Sequence, residues 1–429
     1  MATKFVTTKT TLLYENATGQ ARSMILIFGD EVTTNGGATN GRLPVKFRGR
    51  DGFITKTSLA DTAALELYFI DVGQGDSTFV ITPSRKKILI DGGANDRALR
   101  FLAWRYRLDQ PANSVAIDLL VLTHADVDHI KGLIPIIQHP RINVKRVIHS
   151  GIATFSSGAF ATGLGDKVVS NGVTYLKTRH SQLSQLASSN LSADFTAWAA
   201  AINAELTPSK YEAVSWGTPP ISLGDPDVNI EVLGPRLEPV GGQLVYRWFG
   251  DEAHTINGHS VVLRLTYKNV QVLLSGDLNI KGSDHLLSVP GLPSKLSAHV
   301  FKAPHHGSHE FSPAFLAAVR PQISVVSSGD DPDHGHPRAV FLGAIGNVSR
   351  SGEPLLFSTE IAATFKGAGV PPSPSTATPG SPAARMRELF IRRLHGMINV
   401  RSDGSNLYAA RRVDASYQWE AYGPVPSAP

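Results

Sequence analysis

Four stretches between residues 65 and 122 are apolar almost without a break: Leu65 to Val72, Thr78 to Thr82, Lys87 to Ile90 and Ile117 to Leu122. They are strand-sized, and they lack the polar–apolar alternation of a strand with one wet face, so they need cover on both faces. A helical pattern over Ala94 to Arg107 falls between them. Strands alternating with helices in this way predict α/β layers. Strand patterns return at Asn229 to Leu233, Ser260 to Tyr267 and Val270 to Leu274. They return again near the end, at Ile398 to Val400 and Leu407 to Arg411, followed by Trp419.

Other regions read differently. Residues 1 to 60 carry short strands, Thr10 to Tyr14, Ser23 to Phe28, Leu43 to Phe47 and Phe53 to Thr57, separated by Gly- and Asp-rich turns. That pattern predicts a small all-β barrel. Residues 64 to 429 then form the α/β unit. Within it, residues 151 to 220 are rich in Ser, Ala, Gly and Thr, with one helix expected from Ala193 to Leu206. They are expected to be an insertion that overhangs the core. Pro371 to Pro382, PPSPSTATPGSP, is low-complexity and reads as a flexible loop.

Composition limits the chemistry. The 429 residues include no cysteine, which excludes disulfide frameworks, thiolate metal sites and Cys nucleophiles. Any metal must sit on His, Asp and Glu. Lys and Arg number 41 against 36 Asp and Glu, a net charge of +5, compatible with a polyanionic partner without demanding one. No apolar run approaches the roughly 20 residues of a membrane span. The chain is expected to be soluble and cytoplasmic, with no membrane partner.

Four motifs concentrate the reactive side chains. In LTHADVDHIKG, His124, Asp126, Asp128 and His129 follow a strand and precede a helical stretch. An extended backbone sends 124, 126 and 128 one way, and the start of the helix turns 129 to the other. Such a split can hold two cations a few Å apart, and carboxylate with imidazole suits Zn, Mn or Fe. In LLSGDL, Asp277 ends an apolar strand, where an unpaired carboxylate is costly. In FKAPHHGSH, His305, His306, Ser308 and His309 follow a short strand, and Gly307 permits close backbone approach. In DHGHPR, His334, His336 and Arg338 offer donors to an anion.

Taken in order, HADVDH, SGD and HHGS resemble the metallo-β-lactamase-fold hydrolases. FIDVGQGDSTFV (Phe69 to Val80), ILIDGG (Ile88 to Gly93), NGHSVVLRL and HGHP narrow the resemblance to the hydrolase domain of the ComEC-type competence proteins. It covers about Leu65 to Val340. The order FGDEV to RLPVKFRGRDGFITKTSL, at residues 28 to 59, is similar to a bacterial SH3-like domain. The implied architecture is an αββα sandwich with the site at one edge.

The resemblance implies His124 and Asp126 on one divalent ion, Asp128, His129 and His306 on the other, and Asp277 bridging, the ions being Zn or Mn. One position departs from the superfamily pattern, which has His where this chain has Asp126; the aspartate favours harder ions. A further His ligand is expected at His259, with His149 and His254 as alternatives. Asp71 and Asp91 are expected to orient ligand imidazoles, and Gly73, Gly75 and Asp76 to hold a tight turn. Asp128, His305, Ser308 and His336 are the catalytic candidates, the last three for phosphate contact or leaving-group protonation.

The function expected from the resemblance is hydrolysis of a phosphodiester by a metal-activated water, in DNA, RNA or a small molecule. A lactonase or β-lactamase-like hydrolase, and a metal-binding scaffold without turnover, are the alternatives. Arg42, Lys46, Arg48 and Arg50, beside Phe47 and Phe53, suit either a single-strand binding surface or a solvated strand face.

Overall fold

The computed structural model describes residues 1–177, 179–183, 186, 190–329, 335–360, 396–413 and 418–427. The expected loop at residues 371–382 and His334 lie outside them.

Two mixed sheets face each other. The first has nine strands in the order Tyr211–Ala213, Val147–His149, Leu119–Leu122, Lys87–Ile90, Thr78–Ile81, Leu65–Phe69, Ile398–Ser402, Asn406–Val413 and Gln418–Pro426. The second has six: Val228–Gly234, Val262–Tyr267, Val270–Leu274, Val300–Lys302, Ile323–Val326 and Leu355–Ser358. The apolar runs are explained by what covers them. Leu67, Phe69, Val80 and Val121 point inward against Val232, Leu263 and Val272 of the other sheet. Tyr68, Phe79, Leu120 and Leu122 point outward, under the helices Arg97–Tyr106, Leu133–Ile137 and Ala193–Glu205. The second sheet's outer face lies under Ile280–Leu287, Pro313–Val319 and Ala339–Asn347. Each fully buried Leu or Phe contributes roughly 1.5–3 kcal/mol of transfer free energy. This is the expected αββα sandwich.

The insertion is corrected on one point. Its helix Ala193–Glu205 does not overhang the core but belongs to it, with Phe195, Trp198 and Ile202 buried in the cluster under the first sheet. Tyr211–Ala213 extends that sheet in parallel with Val147–His149. The strands Lys167–Ser170 and Val173–Leu176 pair with Gln243–Arg247 in a separate four-stranded sheet. Asp118 splits its run as well. Val115–Ile117 leaves to pair with Ile142–Val144, while Asp118 accepts the Lys87 N–H at 2.9 Å.

Residues 2–60 form a seven-stranded antiparallel sheet around Val6, Leu13, Leu26, Val32, Val45 and Ile54. Ala2–Val6, Glu31–Thr34 and Leu59–Ala60 join the four strands expected there. The sheet is anchored to the sandwich through Arg401, 2% exposed, which donates to Asp30 and to the Tyr68 hydroxyl, each at 3.0 Å. Glu66 sits 3.4 Å from Arg401 and 2.9 Å from Arg85. Burial alone would raise its pKa, but Arg401, Arg105 and Arg85 pull it down to about 2.

Candidate metal centre

The site follows from strand direction. Lys87–Ile90 and Leu119–Leu122 run parallel in the first sheet, and Val270–Leu274, Val300–Lys302 and Ile323–Val326 run parallel in the second. Their carboxyl ends deliver Asp91, His124, Asp277, His306 and Ser327 to one edge of the sandwich, where α/β sheets commonly present ligand groups.

The first ligand motif adopts the expected bend. Asp126 is extended at ψ 152° and caps a short helix, Val127–Ile130, that carries Asp128 and His129. His124 Nε2 lies 3.6 Å from Asp126, and His129 Nε2 lies 3.8 Å from Asp128 and 3.3 Å from Asp277. His306 Nε2 reaches Asp277 at 2.9 Å and Asp128 at 3.3 Å. Donor atoms of His124, His129 and Asp277 lie within 4.8 Å of one another, as do those of Asp128, His129 and His306. Six of the seven expected metal ligands therefore come together, with Asp277 between the two groups.

Neighbouring groups fix the imidazoles. Asp91 accepts the Thr123 N–H at 2.8 Å, the Thr123 hydroxyl at 2.7 Å and His129 Nδ1–H at 2.9 Å. A carboxylate cannot donate here, so Nδ1 of His129 carries a proton and Nε2 is the nitrogen left to serve a metal. His306 Nδ1–H donates to the Ser327 carbonyl at 2.9 Å, with the same result. His306 and Gly307 hold φ at 51° and 74°. A Cβ on Gly307 would lie 2.8 Å from Pro337, so glycine is required at this turn. Asp91 thus has the orienting role expected of it.

Asp71 does not share that role. It faces Arg97 at 3.2 Å. Burial, followed by the neighbouring Glu360 carboxyl, pushes its pKa up to about 7.

The three candidates for a further His ligand stay outside the cluster. His259 is buried, but its Nε2–H donates to the Arg247 carbonyl at 2.8 Å and its ring stacks on Phe249, 4.7 Å between centroids. Burial moves its pKa down to about 3. His149 stacks on Tyr211, and His254 pairs with Asp251 at 2.6 Å and Glu310 at 3.2 Å. The neighbour of His259, Ser260, approaches instead: its hydroxyl lies 3.4 Å from His124 Nδ1 and accepts the Asp277 N–H at 3.1 Å.

Among the other catalytic candidates, His305 and His336 line the same edge, with ring centroids 5.8 Å apart. Ser308 is buried, and its Oγ accepts the Glu310 N–H at 3.2 Å, which gives it a part in shaping the loop rather than an open position.

Two members of the cluster were not assigned to it from sequence. Lys302, 3% exposed, pairs with Asp76, donates to the Gly276 carbonyl at 3.0 Å and lies 3.6 Å from Asp277. Asp76 lies 3.5 Å from His306 Nδ1, so it is a neighbour of the ligands and not only a turn former. The signal for Lys302 was present: a lone charge inside the apolar strand end of HVFKAP needs a buried counter-charge.

The donor set fits divalent cations. His124 Nε2, His129 Nε2 and His306 Nε2 are all buried, and each faces a carboxylate of the cluster, as metal-ligating imidazoles would before an ion is bound. The electrostatics point the same way. Burial opposes charge on His129 and His306, yet Asp277 first, with Asp91 and Asp76 respectively, raises both imidazoles well above their ordinary pKa. A cluster that pulls protons onto imidazoles this strongly calls for positive charge.

A family profile described as the metallo-beta-lactamase superfamily matches residues 70–329. ComE operon protein 3 of Bacillus subtilis (strain 168) is 23% identical over 298 residues, 65% of this chain and 30% of that protein. Competence protein ComA of Neisseria gonorrhoeae is 39% identical over 82 residues, 19% of this chain and 12% of that protein. The chain thus spans less than a third of the length of either relative. A solved metallo-beta-lactamase with the HARLDQ motif from Cronobacter sakazakii is 14% identical at a TM-score of 0.26, covering 55% of this chain and 76% of that one. Among the described residues, no helix is long and apolar enough to cross a membrane.

Proposed function

The chain belongs to the metallo-beta-lactamase superfamily, and on that premise we propose that it is a metal-dependent phosphodiesterase acting on nucleic acid or a small diester. His124 and Asp126 would hold one divalent ion, Asp128, His129 and His306 the other, and Asp277 both. When bound, such a pair supplies a water nucleophile activated at neutral pH and neutralises charge on the phosphoryl oxygens. The single observation that carries the reading is the convergence of donor atoms from His124, His129, Asp277, Asp128 and His306, which fall within 4.8 Å of one another in two overlapping groups.

The chain's own residues do the rest. Asp91 and the Ser327 carbonyl keep the protons of His129 and His306 on Nδ1, so that both Nε2 atoms stay basic. Lys302 offsets the carboxylates of Asp76 and Asp277. Two dications together with Lys302 balance Asp76, Asp91, Asp126, Asp128 and Asp277, so an anionic diester meets no net repulsion. His305 is assigned to the leaving oxygen. Its Nδ1 is buried and has no hydrogen-bond partner, and its ring lies 5.8 Å from that of His336 at the same edge. The competence names of the two curated relatives are compatible with a nucleic-acid substrate.

The test is turnover of bis-p-nitrophenyl phosphate, single-stranded DNA and a lactone with added Mn or Zn. Diester cleavage should disappear in Asp128→Ala and His129→Ala variants that remain folded. Unchanged turnover in those variants would remove the site assignment, and turnover of the lactone alone would remove the diester.

A further inference from the structure

A second site lies where the N-terminal sheet meets the sandwich. A cleft of about 780 Å³ opens between the Lys46–Gly49 turn and the C-terminal end of the helix Arg97–Tyr106. A smaller hollow of about 200 Å³ adjoins it, bordered by Arg50 and Trp419. Arg48 and Trp104 line both. Trp104 is 46% exposed, unusual for an indole without a partner surface. The Arg48 guanidinium lies 4.5 Å from its ring centroid and 4.9 Å from that of Phe47. Arg107, at the left-handed cap of the helix, reaches across to the turn: its Nη1 lies 2.8 Å from where a Cβ on Gly49 would stand.

The acids in this cleft are mostly engaged elsewhere. Asp30 is bonded to the buried Arg401, and Glu31 is paired with Arg85. Asp109 is exposed and accepts from Gln110. Lys46 lies 3.6 Å from the exposed Asp51, too weak and wet a pair to quench it. Arg48 and Arg107 have no carboxylate within ion-pair range among the described residues. Arg42, from the same basic stretch, is excluded: its guanidinium covers Tyr14 and donates to the Asn16 and Gly19 carbonyls.

We propose that this cleft binds single-stranded nucleic acid, seating a base against the Trp104–Arg48 pair and flanking phosphates against Arg107 and Lys46. A stacked guanidinium and indole beside further cations suits a base with its phosphates, since every base offers a π face. An acidic peptide would use the cations but leave the indole idle. The helix links the two sites. Its first residue, Arg97, touches Asp71 in the loop that also holds Asp76, and its ten residues span about 15 Å to the cleft. The helix thus has the cleft at one end and the loop of Asp71 and Asp76 at the other. Delivery of a held strand from the cleft to the metal centre rests on the phosphodiesterase reading; binding at the cleft does not.

The test is fluorescence anisotropy of a labelled oligothymidine with chelator present, on the full chain. Wild type should bind, and Trp104→Ala and Arg48→Gln should each weaken binding roughly tenfold, the loss of one stacked base. Arg107→Ala should reduce the salt slope by about 0.7, one lost single-strand phosphate contact. Turnover of bis-p-nitrophenyl phosphate should be unchanged in all three. Equal oligonucleotide binding by wild type and variants overturns the proposal, as does wild type that prefers polyglutamate or duplex DNA. Loss of diester turnover with cleft binding intact would instead fault only the phosphodiesterase reading.

Discussion

Asp91→Asn is the most informative single change near the metal centre. The side chain keeps its shape, but one of its two oxygens becomes an NH₂ group. The Asn carbonyl can still take the Thr123 N–H, now accepted at 2.8 Å, and the amide can donate to the Thr123 hydroxyl. His129 Nδ1–H, 2.9 Å from Asp91 Oδ2, then has no acceptor. Either the ring turns, or its proton moves to Nε2 and blocks the metal-facing lone pair. One charge-assisted hydrogen bond is worth about 1.5–3 kcal/mol, or roughly 10–150-fold. That range overlaps the roughly 10–100-fold loss in metal affinity typical when such partners are removed. Calorimetric titration with Mn or Zn measures it, with circular dichroism to verify folding. Asp91→Asn protein that is folded and binds metal within twofold of wild type would refute the orienting role.

Lys302→Met should cost about 3–5 kcal/mol in urea unfolding, since it takes from the buried Asp76 its paired cation and leaves Asp277 to the imidazoles; a variant as stable as wild type would count against their pairing. Asp71, with its folded pKa raised to about 7 from the ordinary 3.8, contributes stability that is full below pH 4 and lost as pH rises toward 7. Asp71→Asn should flatten the stability profile across that window, and an unchanged profile would contradict the raised Asp71 pKa that burial and the Glu360 carboxyl bring about. His259→Gln, whose amide can still donate to the Arg247 carbonyl, should leave metal content as it was, whereas a loss of bound ion would make His259 a ligand after all. Chelation should lower the melting temperature, by the equivalent of about 2.7 kcal/mol if metal stood at 100 times its Kd. His306→Ala should shrink that difference, and an identical shift would dissociate His306 from the metal.

Much of the layering was legible because burial on both faces leaves a run of apolar residues that no alternating strand shows. Lys87–Ile90 and Val270–Leu274 were placed at their observed bounds for that reason. The helix Ala193–Glu205 was expected within a residue of its bounds, but its place in the core was not, because Phe195 and Trp198 stand among alanines that give no sharp apolar face. At the metal centre, the residues on strand ends could be read from local spacing. His259 could not, since NGHS places it beside the cluster in sequence while a single rotation about the chain sends Ser260 inward instead. Lys302 was missed because its partners, Asp76 and Asp277, come from distant segments, and only the charge in an apolar strand end hinted at them.

The most direct measurement is elemental analysis of purified protein after incubation with Zn or Mn and desalting, with Asp277→Ala alongside. Two ions per wild-type chain, falling to one or none in a folded variant, is the predicted result. Folded wild-type protein that retains neither metal would contradict the whole account.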